Sequence, residues 1–204
     1  MRLKALYLVF LLVAAAAHAQ TDVAASIYGA FSGTTTGNGV QQSPSNSAGV
    51  LLEVRHIAAP LVGYEATYSY NRADQTYSCN NCYTNSICPA SGCLGPVSVP
   101  ANAHEITAAW IPSIHIANLR PFGVLGVGAL LDQPSGSQSG TTQSQTKAVY
   151  VYGAGLDWGL LPHIGLRFQS RGNLYQAPDL TTLYSSSQNF VHTAEPMIGV
   201  YFRL

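Results

Sequence analysis

Eight stretches of this chain alternate apolar and mixed residues with a period of two, and the connections between them alternate in length, long and polar, then short, throughout. Period two marks a strand whose two faces meet different surroundings. The alternation of connections means that the strands run up and down, with short turns at one end and long loops at the other. The stretches are Asp22 to Phe31, Ala48 to His56, Leu61 to Asn71, His104 to Ile111, Arg120 to Asp132, Lys147 to Leu160, His163 to Gly172 and Asn189 to Leu204. In the third, Val62, Tyr64, Ala66, Tyr68 and Tyr70 face one way, and Gly63, Glu65, Thr67, Ser69 and Asn71 the other. The last runs to the final residue, where chains usually fray. Pairing this strand with the first closes a barrel and leaves no edge exposed to lipid. The expected fold is all-β: an eight-stranded antiparallel up-and-down transmembrane β-barrel with short periplasmic turns and long extracellular loops.

The charged residues decide which face looks inward. Glu53, Arg55, Glu65, Glu105, Asp157, Arg167, Arg171, Glu195 and Arg203 all sit opposite the apolar set of their strands. A soluble ligand-carrying barrel would place apolar residues inside and polar ones outside. Charged residues make up only 9% of this chain, against about 25% in a typical soluble domain. An outer wall facing lipid accounts for both facts, and the nine charges then point into the lumen. The fifth stretch carries Gly123, Gly126 and Gly128, which leave the facing of its residues ambiguous.

The chain begins with Arg2 and Lys4, an apolar run from Ala5 to Ala16, and Ala17-His18-Ala19. This reads as a cleaved secretory signal over residues 1–19, with residues 20–204 forming one barrel domain. The run is too short to span a bilayer as a helix. Removing the signal leaves seven Lys or Arg against nine Asp or Glu, so a basic surface for nucleic acid is not expected.

Aromatic residues fall near both ends of the strands. Phe31, Tyr68, Tyr70, Tyr150, Tyr152 and Phe190 lie towards the long-loop end, and Trp110, Phe122, Trp158 and Phe202 towards the short-turn end. Two interfacial girdles are expected, because rings with an apolar body and a polar tip collect at membrane interfaces.

With these features the chain resembles the small outer-membrane β-barrel proteins of Gram-negative bacteria, the OmpA-like and OmpX-like group, over Asp22 to Leu204. The ending Gly199-Val200-Tyr201-Phe202-Arg203-Leu204 and the stretch Arg171-Gly172-Asn173-Leu174-Tyr175 are similar to that group. The resemblance implies integral residence in the outer membrane, contact with its lipid and lipopolysaccharide, and recognition of the last strand by the barrel-assembly machinery through Ile198, Val200 and Phe202. Leu204 departs from the terminal Phe usual in the group.

Residues capable of chemistry are few. Cys79, Cys82, Cys88 and Cys93 lie within the polar stretch from Arg72 to Ala103. In an exported protein such a cluster forms disulfides, with three pairings open, rather than a zinc site, since Cys79 and Cys82 alone have the two-residue spacing. Five acidic and four basic inward residues nearly cancel, so ion pairs are expected to plug a lumen only wide enough for side chains. The alternative is a narrow pore for ions or very small solutes lined by the same groups. A lipid-modifying enzyme is a third reading. His56, His104, His115, His163 and His192 are each followed two residues later by Ala, Ile, Ala, Gly and Ala, so no His shares a face with a Ser at that spacing. A non-enzymatic protein without cofactor or metal is expected, structural or acting through loops that bind a surface ligand.

Overall fold

The computed structural model describes residues 20–79, 95–135, 141–184 and 187–204. The signal reading and Cys82, Cys88 and Cys93 lie outside these residues. Eight long strands form the wall: β1 (Gln20–Ser32), β4 (Ser47–Ala59), β5 (Val62–Cys79), β6 (Val97–Trp110), β7 (Leu119–Pro134), β8 (Gln145–Gly159), β9 (Ile164–Gln176) and β10 (Phe190–Arg203). A small hairpin, β2 (Thr35–Gly37) and β3 (Val40–Pro44), stands in the first long connection. Every pairing is antiparallel, β5 pairs β6, and β1 closes the wall against β10 with Val23 opposite Phe202 and Ile27 opposite Ile198. The pairing between β1 and β10 lapses at Gly29 and Ala30, opposite Pro196 and Glu195, where Pro196 has no N–H to give.

The period-two pattern is obeyed through the whole wall. Ile27, Val54, Ile106, Leu125, Val127, Ile198 and Val200 are exposed outward, while Asp22, Glu53, Arg55, Glu65, Asp157 and Arg167 are buried inside. This is a transmembrane barrel turned inside out relative to a soluble one. The fifth strand resolves its ambiguous facing: Arg120, Phe122, Val124, Leu130 and Asp132 point inward. Phe122 therefore does not belong to the girdle expected of it. Its ring lies across the lumen over Gly155, its partner on β8, where a Cβ would come within 2.3 Å of the ring. Tyr201 likewise lies over Gly165 on β9, at 2.4 Å. The glycine opposite each of these two rings gives the ring room that a side chain would take.

Several strands run past the segments visible in the sequence. A membrane crossing needs about 9–11 residues, and β5, at 18 residues, stands well clear of the bilayer at the long-loop end. There β3 pairs with its distal part, Val40 opposite Cys79. The stretch 32–46 is thus not plain loop. Its hairpin turns at Asn38 and Gly39, whose φ values of 50° and 75° fit the tight turn that Asn-Gly favours. Strand β9 continues to Gln176, carrying Asn173 and Tyr175 into the lumen. Beyond it, Ala177, Leu180, Thr181 and Tyr184 are buried, so this segment folds back over the mouth of the barrel.

Candidate functional site

Three structures stack along the lumen: an ion-pair layer near the short turns, a carboxylate chamber above it, and a lid over the mouth. The lower layer is built from alternate residues of β1, β4, β5, β7, β8 and β9, each brought inward by parity. Asp157 is its hub. Its Oδ1 accepts from Arg167 Nε at 2.6 Å, and its Oδ2 accepts from Arg120 Nη2 at 2.6 Å and Arg55 Nη1 at 3.4 Å. Asp22 joins Arg120 at 2.7 Å and Arg167 at 2.9 Å. Arg55 Nε donates to Glu65 at 2.9 Å, and Glu53 contacts Arg167. Three guanidinium groups thus meet four carboxylates, and all seven side chains are buried. The Phe122 ring lies beneath the Arg55 guanidinium at 4.0 Å and that of Tyr201 near Arg167 at 5.3 Å, adding cation–π attraction.

Above it the balance changes. Arg171 stands 3.6 Å from Glu105 and donates to Thr107 at 3.2 Å. Asn173 Nδ2 bridges Glu105 at 2.8 Å and Glu195 at 3.1 Å. Asp132 lines the same cavity of about 40 Å³. One Arg here faces three buried carboxylates. Over the described residues the buried interior holds seven acids and four arginines, so the near-cancellation read from the sequence gives way to an excess of acids, one in the lower layer and two at this level.

The lid closes the top. Tyr77 Oη and Gln42 Nε2 both donate to the carbonyl of Pro178, at 2.9 and 2.7 Å, and Leu180 N donates to Tyr77 Oη at 3.0 Å. Val40, Tyr77, Val99, Ala101, Leu180 and Tyr184 form one apolar cluster. Asp179 sits in this segment, and partial burial raises its carboxyl above the usual range while Lys147 pulls the other way.

The residues singled out from sequence take these places. Glu53, Arg55, Glu65, Asp157 and Arg167 lie in the lower layer, Glu105, Arg171 and Glu195 in the chamber, and Arg203 half-buried at the short-turn rim. Tyr68, Trp110, Tyr150, Tyr152, Trp158, Phe190 and Phe202 are exposed on the outer wall, and Tyr70 is half-buried beside them. Cys79 ends β5. Sequence reasoning missed Asp22, Arg120 and Asp132. Parity would have found them: a lipid-facing Arg120 or Asp132 is untenable, which by itself sets the facing of β7. His104 and His192 bond to Tyr68 and Tyr152 on the outer wall, and His56 bonds to Thr21, so each is held by a hydroxyl group. No group of three His, Cys, Asp or Glu among the described residues could hold a metal ion by direct ligation.

No protein-family model and no curated protein matches the chain. Solved structures do match. Neisserial surface protein A is 15% identical over 90% of this chain and 97% of its own, with a TM-score of 0.54. Ail, the attachment invasion locus protein of Yersinia pestis, in complex with the heparin analogue sucrose octasulfate, is 19% identical over 91% and 99%, with a TM-score of 0.52. The outer membrane protein OprG from Pseudomonas aeruginosa is 9% identical over 91% and 96%, with a TM-score of 0.60. The chain has the architecture of the small integral eight-stranded barrels of the bacterial outer membrane.

Proposed function

We propose that this barrel is a non-enzymatic, closed protein of the outer membrane that acts through its outer surface, as a structural element and as a scaffold for loop-mediated binding. The observation that carries the reading is a lumen obstructed twice, by the ion-pair layer around Asp157 and by the lid over Tyr77. A through path would need both to open. What remains for interaction is the outside: lipid and lipopolysaccharide along the wall, and the long-loop end above it. The last strand, with Ile198, Val200 and Phe202 outward, is the part we assign to the barrel-assembly machinery.

Charge narrows the loop ligand. At the long-loop end Arg72 is exposed and Lys147 half-buried, and Asp74 and Asp179 accompany them. That is no patch for a polyanion of the kind bound in the Ail complex, since phosphate or sulfate recognition draws on clustered Arg and Lys. We infer an uncharged ligand, held by hydroxyl, amide and tyrosine groups, and expect the folded protein to pass a heparin column unretained at physiological salt.

Planar-bilayer recording of the detergent-folded protein tests the closed lumen. The wild type is expected to be silent, and so are Arg167→Ala and Glu105→Ala alone, with steps appearing only when Arg167→Ala is combined with Tyr77→Ala so that the lid is loosened as well. Discrete wild-type steps that change with these substitutions would replace this reading with a narrow pore. Intact lipid A after incubation with folded protein is expected, and its cleavage or acylation would install an enzyme instead.

A further inference from the structure

The chamber between the ion-pair layer and the lid has a feature that plugging does not explain. Four atoms of its lining are buried without a hydrogen-bond partner: Glu105 Oε1, Asp132 Oδ2, Asn173 Oδ1 and Glu195 Oε2. All four are acceptor oxygens. The orientation of Asn173 is fixed by its neighbours, because its Nδ2 donates to both glutamates; turning the amide over would set its oxygen against two carboxylates. Its Oδ1 is thus a neutral acceptor without a hydrogen bond, on a residue 2% exposed. Burying a polar group without a partner is costly, and a charge more so. A chamber of acceptors without donors, whose three acids face one arginine, offers a place to a cation.

We infer that the chamber binds a hard divalent cation, with calcium as the probe. Hard cations take oxygen donors, both carboxylate and neutral, and this lining offers both. With all three carboxylates ionised against Arg171, the chamber carries two negative charges that a divalent ion would balance. Direct ligation by three acids at once is not available, so the ion keeps part of its water. The cavity of about 40 Å³ has room for a few waters, at roughly 10–15 Å³ each on the same measure. Half-buried Ser32, Ser47 and Asn71 line the side of the chamber towards β1, β4 and β5 and give a hydrated ion a polar way in. The lower layer offers no such site, because its carboxylates already face three arginines.

The test is the unfolding midpoint of the detergent-folded barrel in calcium chloride against N-methylglucamine chloride of equal ionic strength, with EDTA as reference. Calcium is expected to raise the midpoint saturably, by about 5 °C when in large excess over its dissociation constant. Asp132→Asn and Glu195→Gln should each lose most of that shift, while the exposed-site control Asp74→Asn should keep it. Two variants on different strands guard against one failing to fold. No shift in the wild type, a shift that survives both chamber variants, or a shift abolished by the exposed-site control would each overturn the inference.

Discussion

The two levels of the lumen use the same alphabet to opposite ends. Near the short turns, Asp157 accepts from three arginines and Asp22 from two of them, so removing any member strands several partners. One level up, Glu105, Asp132 and Glu195 share one Arg, one Asn and a cavity. In the lower level every carboxylate stands against an arginine, and its worth lies in that charge pairing, although Glu53 Oε2 and Glu65 Oε1 accept no hydrogen bond. The upper level is an incomplete network held under a lid. The number of charges alone does not make a buried network stable; how many of its acids stand against an arginine does.

The comparison breaks most easily at its hub. Arg167→Ala should cost about 3–5 kcal/mol in urea unfolding, since Asp22, Glu53 and Asp157 lose a shared partner in a dry layer. The same chemical edit at each level sharpens the contrast. Asp157→Asn should destabilise by about 3 kcal/mol, whereas Asp132→Asn, measured without calcium at neutral pH, should be neutral or stabilising by about 1 kcal/mol, because it removes one of the excess charges. Equal losses at both sites would erase the distinction. Gly155→Ala tests the floor of the lower layer: a Cβ there meets the Phe122 ring at 2.3 Å and the Phe168 carbonyl at 2.6 Å. We expect a loss of about 1–3 kcal/mol from this overpacking.

The smallest effect concerns the lid. Burial raises the Asp179 carboxyl, so the charged form is disfavoured in the folded lid, and its cost is present at neutral pH and relieved as pH falls through the raised value. Asp179→Asn should therefore protect the lid slightly from proteolysis at neutral pH, with the difference from wild type vanishing in the ordinary carboxylate range. A difference that grows on acidification would contradict this.

Much of the wall is legible in the chain. Val62 to Asn71 and the closing strand through Phe202 announce their faces, because each strand carries its own alternation and needs no neighbour to set it. The extensions were not legible. β9 runs on through Asn173 to Gln176 with polar residues that read as loop, and becomes strand because β8 and β10 flank it and supply hydrogen-bond partners. The first long connection read as loop throughout, because the Ser, Thr and Gln around Asn38-Gly39 masked the strands that this turn joins.

The sequence by itself determined that there are eight crossings, that the wall is apolar outside, and that the charged residues of each strand share the face opposite the apolar set. Only the tertiary structure decided which of those charges meet. Arg55 on β4 reaches Asp157 on β8, and Asn173 on β9 joins Glu105 on β6 to Glu195 on β10. These meetings depend on the stagger of strands around a closed barrel, which places residues from opposite walls at one height. Facing is a local property of each strand, set by the pleat. Height in the lumen belongs to the whole ring, and so does the division between a sealed layer and an open chamber.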